Sequence, residues 1–154
     1  MAFRGQHEHS LDSKDRITVP ARYRGQLAEG VVLIAGLEKC VEVYPAAAAE
    51  QLEARYLHGL NPFSRKGRMM SRRFYSSSEE VELDSAGRLK LPRHLIDHAG
   101  LDGGCVVAGA GNHLEVWAPK EWDPERDEFE ASAVEMAEEL ATEEAGPATP
   151  PAGA

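Results

Sequence analysis

The sequence predicts an α+β protein in which two β-hairpin-rich copies of one unit pack on each other, with helices between and after them. Three observations carry this prediction. First, Leu11-Asp12-Ser13-Lys14-Asp15-Arg16-Ile17-Thr18-Val19-Pro20 returns 72 residues later as Leu83-Asp84-Ser85-Ala86-Gly87-Arg88-Leu89-Lys90-Leu91-Pro92, with five identical positions. Second, the echo continues: Gly30-Val31-Val32-Leu33-Ile34-Ala35-Gly36 matches Gly103-Gly104-Cys105-Val106-Val107-Ala108-Gly109, and Glu42-Val43-Tyr44-Pro45 matches Glu115-Val116-Trp117-Ala118-Pro119. Third, each copy spans only about 43 residues, a size at which a lone core is marginal, so the copies are expected to pack on each other.

The elements follow in order. His7–Leu11 reads as a strand, Asp12–Asp15 as a turn and Arg16–Val19 as a second strand, because Asp and Ser side chains bond nearby backbone N–H groups. Pro20 opens a short helix through Leu27, proline being suited to the first helical position. Val31–Ala35 and Cys40–Tyr44 are β-branched-rich strands joined by Gly36-Leu37-Glu38-Lys39. In the second copy, Pro92 opens a helix with Leu95, Ile96 and Ala99 on one face, and Gly100 suits its left-handed cap. Cys105–Ala108 and His113–Trp117 make the matching hairpin. Between the copies, Ala46–Leu57 and Phe63–Tyr75 form a helical hairpin broken at Asn61-Pro62, and Pro124–Leu140 is a further helix. The organisation expected is therefore repeat 1 over 6–48, a helical linker over 49–77, repeat 2 over 78–121, an acidic C-terminal helix over 122–144 and a disordered tail over 145–154.

Composition narrows the function. No apolar run approaches the ~20 residues of a membrane span. Met1-Ala2-Phe3-Arg4 lacks a signal peptide's apolar region, and Cys40 and Cys105 stand alone, so a cytoplasmic location is expected. The net charge of −9 is misleading, because residues 121–154 hold eleven acidic residues against Arg126 alone. Residues 1–77 carry twelve basic and eight acidic residues. The body is nearly neutral and its first half mildly basic, which leaves nucleic acid open as a partner.

The repeated Asp-x-x-x-Arg is the motif that carries chemistry. In a tight turn, Asp12 and Asp84 accept backbone N–H bonds while Arg16 and Arg88 project from the next strand. An ordered guanidinium offers a planar fork of donors to phosphate oxygens or a guanine edge. Two readings are open: salt bridges that only pin the turns, or supports that aim two arginines at DNA from one surface. Lys14, Arg22, Arg24, Lys90 and Arg93 would widen that surface.

Phe3-Arg4-Gly5, the segment Leu11 to Arg24, Val43-Tyr44-Pro45, the segment Leu83 to Leu89, His98-Ala99-Gly100-Leu101 and Leu114-Glu115-Val116-Trp117 together resemble the bacterial MraZ family over about residues 1–140. These are tandem members of the SpoVT-AbrB, or swapped-hairpin barrel, class. The resemblance implies a DNA-binding transcriptional regulator, usually a repressor, of the division and cell-wall gene cluster that begins with its own gene. It also implies a ring of identical subunits on closely spaced direct repeats in double-stranded promoter DNA, and a nucleoid-associated location. The family's signature falls on Asp12, Lys14, Asp15 and Arg16, and again on Asp84, Gly87 and Arg88. The DNA-binding set implied is Lys14, Arg16, Arg22, Arg24, Arg88 and Lys90, with Asp12, Asp84 and Gly87 supporting the turns. Asp15 replaces the family's usual Gly, and Ala86 stands where copy one has Lys14, so the copies are unequal.

Other candidates are weaker. His94 and His98 have a zinc-compatible spacing but no third ligand in reach of the sequence, and read as surface or cap residues. His7 and His9 read as exposed strand residues. Ala108–Asn112 joins two strands and reads as a hairpin turn. Arg65, Lys66, Arg68, Arg72 and Arg73 read as a solvated or ion-paired helix face. Trp117 and Trp122 fit a core or a subunit interface. No nucleophile–base arrangement stands out, so no enzyme activity, cofactor, metal or small-molecule substrate is expected. The alternative from another class is an antitoxin-like protein that binds a partner through its acidic C-terminal segment.

Overall fold

The computed structural model describes residues 1–145. Its elements are β1 (Gln6–Ser10), β2 (Arg16–Thr18), α1 (Ala21–Arg24) continued by a 3-10 turn at Gly25–Leu27, β3 (Val31–Ala35), β4 (Cys40–Pro45), α2 (Ala46–Tyr56), α3 (Arg65–Ser77), β5 (Glu79–Val81), β6 (Arg88–Lys90), α4 (Arg93–Ala99), β7 (Gly104–Gly109), β8 (Leu114–Trp117) and α5 (Pro119–Ala145). This is the α+β class, with all described strand pairs antiparallel.

The strands interleave the two copies. The six-stranded sheet has the order β1-β7-β8-β4-β3-β5, and β2 pairs with β6 in a separate two-stranded sheet. Thus β1 of the first copy pairs with β7 of the second, and β5 of the second pairs with β3 of the first. Equivalent residues meet at two places: Ile17 faces Leu89 across β2–β6, and Glu42 faces Glu115 across β4–β8. A pseudo-two-fold relation between the copies passes through both pairs.

The core forms where both copies contribute. Leu27, Leu33, Leu89, Leu91, Leu95, Ile96 and Leu114 are almost completely buried, each worth roughly 1.5–3 kcal/mol of transfer free energy. Ile17 and Val19 join the same cluster, so the inner face of β2–β6 is part of the core. A second cluster, Ile34, Tyr44, Ala49 and Phe74, lies beneath α2 and α3. Arg73 ties α3 down by donating to the carbonyls of Ala35 and Gly36, both at 2.7 Å.

Several boundaries differ from the sequence expectation. Pro20 and Pro92 sit one residue before the first helical residue, as caps with extended ψ. Helix α3 starts at Arg65 because the Ser64 hydroxyl accepts from the Gly67 N–H at 3.3 Å, a capping bond that Phe63 cannot make. Gly100 caps α4 with φ 63°, as its composition predicts.

From Lys120 onward the chain forms a second unit. The helix expected to start at Pro124 begins at Pro119 and carries Pro124 inside it. Pro119 serves as the tolerated first-turn proline. Pro124 lacks a backbone N–H and so removes one i→i−4 hydrogen bond from α5. Trp122 packs edge-on against Phe129, with ring centroids 5.8 Å apart. The expected tail begins inside α5 at Ala145, and residues 146–154 lie outside the described residues.

Candidate nucleic-acid interface

The two-stranded β2–β6 sheet gathers the basic residues of the repeat. Its register sets Arg16 opposite Lys90 and Thr18 opposite Arg88. Residues directly opposite share a face, and alternate residues point the other way. All four therefore lie on the outer face, while Ile17 and Leu89 fill the core behind them.

Each arginine is held by its own turn. Asp12 Oδ1 accepts from the Lys14 N–H at 2.9 Å and the Arg16 N–H at 3.0 Å, and Oδ2 accepts from Arg16 Nε at 2.8 Å. Asp84 repeats this with Ala86 at 3.0 Å, the Arg88 N–H at 2.9 Å and Arg88 Nε at 2.8 Å. These backbone donors, that of Arg16 foremost, hold the Asp12 carboxyl down to about 2; Asp84 is lowered for the same reason. With Nε occupied, the terminal guanidinium nitrogens of Arg16 and Arg88 bond no protein acceptor among the described residues. They remain available to an anion.

The two turns are also locked together. The Val19 N–H donates to the Gly87 carbonyl, and the Leu91 N–H donates to the Asp15 carbonyl, both at 2.9 Å. Both turns need a left-handed residue: Gly87 has φ 74° and Asp15 has φ 58°. Asp is among the residues that tolerate this region, so the turn forms without glycine. Gly87 is constrained further, because a Cβ there would lie 2.2 Å from Arg24 Nε.

The remaining predicted residues divide. Lys14 is exposed on the turn beside Arg16. Arg24 lies over Gly87 and donates to the Val19 carbonyl at 3.0 Å, so it braces the second copy's turn. Arg22 reaches the Arg4 carbonyl at 3.2 Å, contacts His7 and lies over the Tyr23 ring. Arg93 pairs with Asp97 at 3.1 Å. In the basic run of α3, Arg68 and Arg73 bond backbone carbonyls, so that face is partly structural. His94 and His98 donate to the carbonyls of Ser77 and Glu38. His7 and His9 are half-buried, not exposed, and their rings pack near one another. Ala110–Asn112 turn between β7 and β8, and Trp117 is buried in the body.

One cluster was not singled out from the sequence. His113 Nε2 lies 3.3 Å from Glu42 Oε2 and 3.3 Å from Glu115 Oε2. Its Nδ1 lies 2.8 Å from Asn112 Oδ1, and its ring stacks on Tyr44 at 4.4 Å. Burial alone would lower the imidazole pKa, but the hydrogen bonds to Glu115 and Glu42 outweigh it and push it up to about 9. The available signal was that Glu42 and Glu115 are repeat equivalents, which a two-fold relation brings together.

Among the described residues no helix is long and apolar enough to cross a membrane. The family described as "MraZ protein, putative antitoxin-like" matches residues 2–73 and again residues 74–143. The chain is 38% identical over 138 residues to a protein of Lactobacillus delbrueckii subsp. bulgaricus named "Transcriptional regulator MraZ", covering 90% of this chain and 96% of that relative. Proteins of the same name from Roseiflexus sp. and Natranaerobius thermophilus are 36% and 38% identical, again over 90% of this chain and 96% of theirs. These relatives are named as regulators and not as enzymes. With both halves matched and the relatives aligned over nearly their full length, the chain belongs to the MraZ family.

Proposed function

We propose that this chain is a sequence-specific DNA-binding transcriptional regulator whose β2–β6 face contacts DNA. The observation that carries the reading is the pair of Asp-braced arginines, Arg16 and Arg88, on one outer face with Lys90 opposite Arg16. A major groove admits a two-stranded β-ribbon, and an arginine fork suits guanine or phosphate. In this reading Lys14, Arg16, Arg88 and Lys90 form the contact set, Asp12, Asp84 and Gly87 hold the turns, and Arg22 and Arg24 flank them. The cross-paired strands support a swapped-hairpin barrel, with repeat 1 over 6–48 and repeat 2 over 78–121.

The target proposed is the promoter of the division and cell-wall gene cluster that includes the chain's own gene, with repression as the effect and the nucleoid as the location. A nearly neutral body binds any one site weakly. A ring of subunits on direct repeats makes later contacts intramolecular and raises overall affinity. Titration against the chain's own upstream DNA at several salt concentrations tests this. Wild-type binding should weaken steeply with salt, and the double variant Arg16→Ala, Arg88→Ala should lose sequence-specific binding. Unchanged binding by the double variant overturns the assigned face, and light scattering that finds only monomer overturns the ring.

A second reading draws on the family's antitoxin-like description and the acidic α5. It requires a basic partner protein, which would co-purify with the full chain and be lost on removal of α5.

A further inference from the structure

We propose that Glu42, His113 and Glu115 form a binding site for a divalent transition metal, with Zn²⁺ the ion this ligand set suits best. The site originates in the duplication. Glu42 and Glu115 are repeat equivalents and stand directly opposite one another on β4 and β8. Like charges directly opposite across a strand pair are destabilising, and a cation between them, either a protonated His113 or a bound metal ion, offsets that repulsion. His113 is where the copies differ, since the equivalent position in the first copy is Cys40.

The spacing is compatible with a bound metal ion. One ligand atom from each of the three side chains lies within 4.8 Å of the others. His113 Nε2 is 3.3 Å from an oxygen of each glutamate. Charge-assisted N–H···O bonds are shorter, about 2.7–2.9 Å. The edge of a tetrahedron with metal–ligand distances of about 2.0–2.1 Å is about 3.3–3.4 Å.

Outer contacts hold each ligand in position. Nδ1–H donates to Asn112 Oδ1 at 2.8 Å, which aims Nε2 at the carboxylates. Trp117 Nε1 donates to Glu115 Oε1 at 3.1 Å and leaves Oε2 for the ion. Tyr44 stacks on the imidazole and offers its hydroxyl to Glu42. The side chains are 11% (His113), 20% (Glu42) and 22% (Glu115) exposed, enough for an ion to enter and for water to take a fourth position. Two carboxylates and a neutral imidazole balance a divalent charge, and loading releases the Nε2 proton to solvent. Mg²⁺ and Ca²⁺ prefer all-oxygen sites with more ligands. Because Glu42 belongs to the first copy and His113 and Glu115 to the second, the ion would tie the copies together across the β4–β8 seam.

The test uses the full chain, stripped with chelator and titrated with Zn²⁺ by calorimetry and with Co²⁺ by visible absorption. One ion per chain, a four-coordinate Co²⁺ spectrum and a raised Tm on Zn²⁺ loading are expected. Glu115→Gln, nearly isosteric, should weaken Zn²⁺ binding at least tenfold, and His113→Ala should abolish the Co²⁺ spectrum. The double variant His94→Ala, His98→Ala should retain both. Absence of stoichiometric binding by the wild-type chain overturns the proposal without reference to any variant. Unchanged binding by a folded Glu115→Gln or His113→Ala chain, or loss of binding in the His94, His98 variant, also overturns it.

Discussion

Arg16 stands directly opposite Lys90 on the outer face of the β2–β6 sheet, two positive charges from different copies in one cross-strand pair. Such a pair works against the fold by roughly 0.2–1 kcal/mol, and an anion bound to that face offsets it. Lys90→Gln should therefore raise stability in urea by about that amount while weakening DNA binding and lowering the log–log salt slope by about 1. Equal loss of stability and binding would show that Lys90 supports the sheet instead.

The two turns should respond in opposite directions to substitution. Asp15 is a non-glycine residue at φ 58°, so Asp15→Gly should stabilise the chain by a few tenths to about 1 kcal/mol. It also removes a negative charge beside Arg16 and should tighten DNA binding at low salt. Gly87→Ala meets both a positive φ and the Arg24 guanidinium. It should cost roughly 1–3 kcal/mol, read from the urea midpoint at constant m-value.

Asp12 gives a defined pH dependence. Its carboxyl is held at about 2 by the Arg16 and Lys14 N–H groups and by the Arg16 side chain. A folded pKa below the unfolded value contributes stability above the unfolded carboxyl pKa, and that stability is lost as pH falls through about 2. Carboxyl-carbon NMR titration should show Asp12 ionised at pH 3, when ordinary carboxyls are largely protonated. Asp12→Asn should remove the low titration and release Arg16 Nε.

Leu89 links the reading face to the core. It is fully buried behind Arg88 and Lys90, opposite Ile17. Leu89→Ala should cost roughly 2–5 kcal/mol in urea unfolding, more than Ile17→Val at roughly 0.5–1.5 kcal/mol. A smaller loss would mean that the outer face is uncoupled from the core.

The duplication, the turn chemistry of Asp12 and Asp84, the helices flanked by proline and Gly100, and the availability of Arg16 and Arg88 were legible from residue types and spacing. These depend on contacts within four or five residues, where the local backbone sets which groups can meet. The pairing of Arg16 with Lys90, the bracing of Gly87 by Arg24, and the meeting of Glu42, Glu115 and His113 were not. Each joins residues about 60 to 75 positions apart, and which strand pairs with which, and in what register, is decided by burying both copies' apolar faces in one core. The sequence by itself determined two braced arginines and a family. Their common surface was expected from the duplication; only the packed strands set the register that puts Arg16 opposite Lys90 and bring the two glutamates face to face with a histidine between them.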